Sequence, residues 1–171
     1  MDLISVSHAT IKHLEEKNGA VLKEVEKRGK VTIKINKDKN IELEGEGGEV
    51  WIASQVLKAL DFGFLPQQAF KLFNDNYFLE IIDLEIILPN PKAIERYKGR
   101  IIGEGGRAKM TLQELSGAFL AIIGNKVAII GEFDDLQLAK EGVLRLLEGS
   151  PHTSVYAFME RKNRERKYAL K

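Results

Sequence analysis

The stretch Gly99-Arg-Ile-Ile-Gly-Glu-Gly-Gly-Arg-Ala-Lys109 determines how the rest of the chain is interpreted. Two isoleucines lead into a Gly-x-x-Gly turn at residues 103–106, and basic residues stand on both sides of it. Glycines at such positions let the backbone turn tightly and approach a ligand without a Cβ in the way. A helix that begins near Arg107 directs its free N–H groups at the turn, and helix N-termini favour phosphate. The stretch therefore predicts a phosphate-binding loop, with a purely structural turn as the alternative.

The segments around this turn follow the order strand, helix, Gly-x-x-Gly, helix, strand, strand, helix. Strands are predicted at 118–123 and 127–130, and the last helix begins at about Asp134. This order resembles a type I KH domain, a module that clamps about four single-stranded nucleotides at its Gly-x-x-Gly loop. The amphipathic helix after the loop is expected to bury Met110, Leu112 and Leu115.

The first half of the chain repeats the pattern. It predicts a strand at 3–6, helices at 9–17 and 20–28 broken by Asn18-Gly19, a hairpin over 31–43, and a helix over 50–60 with Trp51 as a large anchor. Glycine and apolar positions of this half align with the second half at an offset of 86–88 residues, Gly19 with Gly106 and Ala53 with Ala139 among them. Such an offset favours a duplicated module.

The loop of the first copy reads Glu16-Lys-Asn-Gly19, so a carboxylate stands where the first glycine would be. That carboxylate would repel phosphate. The first copy is therefore predicted to be a scaffold or a protein-contact module, with a second RNA clamp as the alternative.

The predicted fold class is α+β, with two tandem, packed type I KH modules. Each module has the order βααββα, with a three-stranded antiparallel sheet and helices on one face. The expected boundaries are 1–76 for the first module and its connecting helix, 77–150 for the second module, and 151–171 for a C-terminal basic helix. Because no flexible Gly/Ser linker separates the modules, we expect them to pack together.

Composition excludes several classes of protein. The chain has 171 residues, of which 44% are apolar and 30% charged, and its apolar runs are too short to span a membrane. It lacks cysteine, which excludes disulfides and thiolate metal sites. No charged and apolar leader pattern of the secretory type opens the sequence. We therefore expect a cytoplasmic protein without a membrane partner.

Charge is unevenly distributed along the chain. Residues 1–89 carry 11 Lys and Arg against 15 Asp and Glu (net −4), whereas residues 90–171 carry 15 against 10 (net +5). The basic half is the half with the glycine loop, as expected if that half meets a polyanion.

The predicted RNA-binding residues are those of the loop, the cations beside it and an apolar groove for bases, namely Arg100, Ile101, Ile102, Gly103, Glu104, Gly105, Gly106, Arg107, Lys109 and Ile122. A second group, at the end of the last predicted helix, is either a solvated face or a contact to the RNA backbone, namely Arg161, Lys162, Arg164, Arg166 and Lys167.

Catalysis has little support in the sequence. His8, His13 and His152 lack metal-ligand spacing and accompany no nucleophile, and the glycine loop lacks the Gly-Lys-Ser/Thr of a nucleotide-binding P-loop. We expect a protein that is not an enzyme and needs neither a metal nor a cofactor.

Several motifs together resemble one family. They are Gly99 to Arg107, Glu114-Leu-Ser-Gly-Ala118, Val127-Ala-Ile-Ile-Gly131, Leu147-Glu-Gly-Ser-Pro-His152, Gly63-Phe-Leu-Pro66 and Tyr77-Phe-Leu-Glu-Ile-Ile-Asp83. This combination is similar to the archaeal KH-domain ribosome assembly factors of the partner-of-Nob (Dim-type) family, and Krr-type assembly factors share the architecture. Glu104 stands where members often carry Lys, which weakens the phosphate contribution.

The resemblance implies a ribosome biogenesis factor whose second module holds single-stranded rRNA near the 3′ end of the small-subunit rRNA. It also implies two protein partners, the endonuclease that matures that end and the α subunit of initiation factor two. Two alternatives remain, a general KH protein that binds messenger or small RNA, and a protein-interaction scaffold whose glycine loop is only structural.

Overall fold

A computed structural model describes residues 2–170 of the chain. The chain divides into two compact units, one ending at Tyr77 and the other beginning at Phe78. Each unit contains a three-stranded sheet in which the strand order is the same, first–third–second. The predicted α+β class with two three-stranded sheets is confirmed.

The first unit contains, in order, β1 (Asp2–Ser5), α1 (His8–Gly29), β2 (Thr32–Ile35), β3 (Asn40–Glu44) and α2 (Gly47–Asp61). The central strand β3 is antiparallel to both neighbours and pairs Ile41 with Ile4 and with Ile35. Ile41 and Leu43 are fully buried and alternate with polar residues. This is the pattern of a sheet with one covered face.

A turn divides α1 into two helices. Ser7 caps its start by accepting a hydrogen bond from the N–H of Thr10 at 3.2 Å. At Glu16 the backbone becomes extended (φ −60°, ψ 157°), and Lys17, Asn18 and Gly19 are left-handed. The break therefore lies where Asn18-Gly19 predicts it.

A short connecting segment follows α2. It consists of α3 (Pro66–Ala69) and a 3₁₀ turn at Phe70–Phe73, with Ala69 and Leu72 buried. Proline at the first position of α3 fits a helix start, because its missing N–H would have no intrahelical partner there.

The second unit contains β4 (Tyr77–Asp83), α4 (Leu84–Ile87), α5 (Pro91–Ile102), a 3₁₀ turn (Glu104–Gly106), α6 (Arg107–Ser116), β5 (Phe119–Ile123), β6 (Lys126–Glu132), α7 (Phe133–Leu147) and α8 (His152–Ala169). β6 lies between β4 and β5. The hairpin of β5 and β6 is antiparallel, with Phe119 opposite Ile130 and Ile123 opposite Lys126.

One hydrophobic core holds the second unit together. Strand residues such as Leu120 and Ile129 meet helix residues such as Ile101, Leu112 and Val143. The last helix also takes part, and it contributes Val155, Phe158 and Met159. The basic C-terminal segment is thus packed onto the second unit along its apolar face.

Two predicted core residues are on the surface. Met110 is 55% exposed, because the buried stripe of α6 runs through Ala108, Leu112 and Ser116 and Met110 points away from it. Trp51 is 61% exposed, so its predicted role as an anchor of α2 is wrong. Among residues 2–170, no helix is both long and apolar enough to cross a membrane.

Candidate nucleic-acid interface

The glycine loop between α5 and α6 depends on Gly103. Its backbone adopts φ 73° and ψ 172°, a conformation that L side chains rarely take. A Cβ at this position would lie 2.6 Å from the Cβ and 2.7 Å from the backbone N of Ala108. Glycine is therefore required here by the backbone conformation and by the close approach of α6.

The two following glycines face open space. Gly105 (φ 60°) and Gly106 (φ 78°) are left-handed, and a Cβ on either would meet no atom within 4 Å. No side chain caps the N-terminus of α6. The loop thus presents bare backbone next to the positive end of a helix, which is a suitable surface for an anion.

Charged side chains of both signs surround this surface. Arg107 and Lys109 lie in the first turn of α6, which contains no acidic residue. Neither has a carboxylate within salt-bridge distance in the described part of the chain. Cations at a helix N-terminus are unfavourable for the macrodipole, and a bound anion would offset that cost. Glu104, which is exposed in the loop, reduces the positive potential.

Arg100 is close in sequence to the loop, but its guanidinium makes other contacts. Its two terminal nitrogens donate to the carbonyl oxygens of Leu146 and Ser150, each at 2.6 Å. In return, Nε2 of His152 donates to the carbonyl oxygen of Arg100 at 2.8 Å. Arg100 therefore connects the end of α5 with the turn between α7 and α8, rather than facing the loop as the sequence predicts.

Further polar contacts, which no sequence pattern indicates, continue this connection along α8. The ring of His152 lies 5.9 Å from that of Tyr156. Burial raises the pKa of the Tyr156 hydroxyl above its ordinary value, and a hydrogen bond with Thr111 partly opposes this. Thr111 in turn donates to the carbonyl oxygen of Arg107 at 3.0 Å. These contacts tie α8 to both helices that flank the loop.

Of the three isoleucines predicted to form an apolar floor, only two are accessible. Ile101 is fully buried in the core, which differs from its predicted place in a groove. Ile102 at the end of α5 and Ile122 on β5 are partly exposed. Neighbouring positions on a helix point in different directions, so Ile101 faces inward when Ile102 faces outward.

The basic residues of α8 differ in how they are used. Arg166 donates to Asp135 Oδ1 at 2.7 Å and to the carbonyl oxygen of Ser116 at 3.4 Å, so it connects α8 with α6 and α7. Lys162 lies 3.4 Å and Arg161 4.0 Å from Glu165. Arg164 and Lys167 are exposed and have no described carboxylate partner. Only these last two are open to a phosphate backbone without breaking an ion pair.

The loop of the first unit has a similar backbone but different chemistry. Lys17, Asn18 and Gly19 are left-handed, as Gly105 and Gly106 are in the second unit. Its first position is Glu16, whose Oε2 lies 3.1 Å from Nδ1 of His13. The described residues hold no cluster of His, Asp and Glu that could bind a metal ion.

The chain is similar to several known proteins. Residues 78–164 match the family model for the second KH domain of PNO1, a eukaryotic-type (type I) KH domain. The chain is 35% identical to the KH domain-containing protein MJ0443 of Methanocaldococcus jannaschii, an alignment that covers 99% of this chain and 77% of the relative. It is 27% identical to the pre-rRNA-processing protein PNO1 of Coccidioides immitis, over 74% of this chain and 53% of the relative.

One solved structure of high similarity contains RNA. The chain is 36% identical, with a TM-score of 0.84, to a chain of the a/eIF2alpha–aDim2p–rRNA complex from Pyrococcus horikoshii, an alignment that covers 96% of this chain and 94% of that chain. The chain spans about half the length of the PNO1 relatives that it matches.

Proposed function

The chain belongs to the family of type I KH proteins that includes PNO1 and archaeal Dim2p, and on that premise we propose that it is a ribosome biogenesis factor that binds rRNA. Its second unit holds a single strand near the 3′ end of the small-subunit rRNA at the glycine loop. The protein acts by binding and positioning RNA, without catalysis.

The glycine loop is the observation that carries this proposal. Bare backbone at Gly105 and Gly106, the uncapped start of α6 and the unpaired cations Arg107 and Lys109 together suit a sugar–phosphate chain. The partly exposed Ile102 and Ile122 suit the apolar contacts by which KH modules hold bases.

The relatives support the choice of RNA. The Coccidioides relative is named a pre-rRNA-processing protein, and the Pyrococcus relative was crystallised in a complex with rRNA and a/eIF2alpha. We carry both over as proposals, so that the α subunit of initiation factor two becomes a proposed partner of this chain. The endonuclease that matures the rRNA end is a further proposed partner, on the family resemblance alone.

The test uses a charge change at Gly105, because a side chain there meets no neighbour. We compare Gly105→Asp with Gly105→Asn, since both residues tolerate the left-handed conformation and they differ only in charge. Binding is measured by fluorescence anisotropy across a salt series. The two ligands are a short strand from the 3′ end of the source organism's small-subunit rRNA and a scrambled strand of the same length.

We expect the wild type to prefer the rRNA strand, with an affinity that falls as salt rises. Gly105→Asp should lower that affinity at least tenfold, the size of an effect of about 1.4 kcal/mol, while Gly105→Asn retains most of it. Equal binding of both strands would favour a general KH protein. Equal binding of both variants would mean that the loop is not the RNA site. Absence of salt-dependent binding in the wild type would favour the scaffold alternative.

A further inference from the structure

The exposed ridge of α5 contains two cations and a glycine that do not stabilise the fold of the second unit. We define this ridge by Lys92, Arg96 and Gly99, which follow one another at spacings of four and three residues and are all exposed. The spacing places them on one helix face, opposite the buried Ile94 and Ile101. Along the helix the ridge leads directly to Gly103, the first residue of the glycine loop.

The two cations of the ridge form no ion pair in the part of the chain that the structure describes. No carboxylate of the described residues lies within 4 Å of Lys92 or Arg96. Other basic residues of the second unit do have one, such as Lys140 with Glu80 and Arg166 with Asp135. Arg96 lies 5.3 Å from the ring of Tyr97, which orients the guanidinium without using its N–H donors. Glu95 is the only acidic residue of α5 and lies on the flank of the ridge.

The position of Lys92 is unfavourable for the helix itself. Lys92 is in the first turn of α5, where the macrodipole favours an acidic residue, and this turn contains none. The cap of the helix is supplied instead by the side chain of Asn90, which accepts from the N–H of Ala93 at 2.8 Å. A cation at this place therefore does not stabilise the helix, but it would interact favourably with a bound polyanion.

Gly99 also lacks a structural reason. It lies inside a helix, where glycine costs about 1 kcal/mol relative to alanine. A Cβ at this position would meet no atom within 4 Å, so no neighbouring element requires its absence. An exposed glycine without neighbours leaves room for another chain to come close to the helix backbone at this point.

From these observations we propose that the ridge of Lys92, Arg96 and Gly99 is a second RNA-backbone contact, continuous with the glycine loop. This inference rests on the proposed function, because it extends the strand held at the loop. With a rise of about 1.5 Å per residue, Arg96 lies about 10 Å and Lys92 about 16 Å along α5 from Gly103. The site binds the sugar–phosphate chain of a single strand longer than the four nucleotides clamped at the loop.

The experiment compares strand lengths with the full chain. A four-nucleotide strand and a twelve-nucleotide strand that contains it, both from the 3′ end of the small-subunit rRNA, are titrated across a salt series. The ridge variant is Lys92→Gln/Arg96→Gln. Its matched control is Lys23→Gln/Lys27→Gln, which removes the same charge from an exposed pair at the same spacing on α1. A third variant, Gly99→Ala, adds one methyl group.

We expect the ridge variant to bind the short strand like the wild type. For the long strand its affinity should fall about 25-fold near 0.1 M salt, with a salt slope about 1.4 smaller, because each single-strand phosphate contact contributes about 0.7. Gly99→Ala should weaken long-strand binding while it raises Tm by about 2–4 °C, an outcome opposite to that of a damaged fold. The control should bind both strands normally.

Three results would overturn the inference. In the first, the ridge variant and its control bind the long strand equally well. In the second, the ridge variant loses affinity for both strand lengths to the same extent, which would indicate only an effect of overall charge. Binding of poly-L-glutamate that depends on Lys92 and Arg96, with no gain in affinity from RNA length, would instead assign the ridge to an acidic protein partner. In each case Gly105→Asp still tests the loop by itself, so failure of the ridge and failure of the proposed function are distinguishable.

Discussion

Arg100 and Arg107 flank the same loop, and the structure gives them different tasks. Arg100 donates to the carbonyl oxygens of Leu146 and Ser150, whereas Arg107 has no described carboxylate partner. We expect Arg100→Gln to lower RNA affinity and also the free energy of unfolding, by about 2 kcal/mol for the lost charged hydrogen bonds. Its salt slope should stay unchanged, because the side chain does not contact phosphate. Arg107→Gln should raise the free energy of unfolding by at most about 1 kcal/mol, because it removes a cation from the N-terminus of α6. It should reduce the salt slope by about 0.7.

Thermal unfolding and a salt series of RNA titrations check this pair of predictions together. A salt slope that falls in Arg100→Gln would mean that its guanidinium contacts RNA after all. Arg100→Lys is the informative conservative variant, because a single ammonium group cannot reproduce the two bonds that the guanidinium makes to the carbonyl oxygens of Leu146 and Ser150. It should behave like Arg100→Gln in stability.

The loop could be predicted from the sequence, but the use of each neighbouring residue could not. The glycines at 103, 105 and 106 predict a backbone with positive φ, because few other residue types adopt that conformation. The partner of Arg100 is 46–50 residues away in sequence, and no local pattern reports a contact over such a separation. Ile101 and Ile102 are adjacent apolar residues at a helix end, and the sequence alone does not indicate which of them faces the core. That depends on how the helix is oriented in the fold.

At the scale of elements, α8 is part of the second unit. Met159 is fully buried against it, and a Cβ added at Gly142 of α7 would lie 2.6 Å from the sulfur of Met159. Met159→Ala should lower the free energy of unfolding by about 2–5 kcal/mol, as for other methionines removed from a core. Met110→Ala is the matched control, since Met110 is 55% exposed and its loss should change stability by less than about 0.5 kcal/mol.

Chemical denaturation of both variants measures these differences. Equal stability of Met159→Ala and the wild type would contradict the packing of α8 described here. The same helix is held at its other end by Arg166, which bonds Asp135 and the last turn of α6. Of its five basic residues, Arg166 is therefore already engaged in contacts within the second unit.

Elements were predictable where the pattern was strong and local. The broken helix before β2 follows from Asn18-Gly19, and the alternation at Ile41 and Leu43 gives the sheet face. The exposure of Trp51 and Met110 was not predictable from residue type, because large apolar residues are usually buried. Trp51 lies outside the buried stripe of α2, and Met110 lies outside the buried stripe of α6. Which residues form these stripes is known only when the rotation of each helix about its axis is known.

At the scale of the whole chain, two copies of one architecture have different charges and different loops. The first 89 residues have a net charge of −4, and residues 90–171 have a net charge of +5. The loop of the first unit keeps the left-handed backbone at Lys17, Asn18 and Gly19, but it begins with a carboxylate. The two units thus share one strand order, whereas the Gly-x-x-Gly sequence is found in the loop of the second unit and not in that of the first.

This asymmetry predicts that one chain binds one short strand. We expect calorimetric titration with a four-nucleotide rRNA strand to give one strand per chain, because Glu16 repels phosphate at the first loop while Arg107 and Lys109 attract it at the second. Gly105→Asp should weaken this binding at least tenfold, and Gly105→Asn should retain most of it. Two strands per chain, of which one keeps its affinity in Gly105→Asp, would indicate that the loop of the first unit binds RNA despite its carboxylate. The charge of a single loop residue would then be too weak, in water and salt, to decide which copy of the module is an RNA clamp.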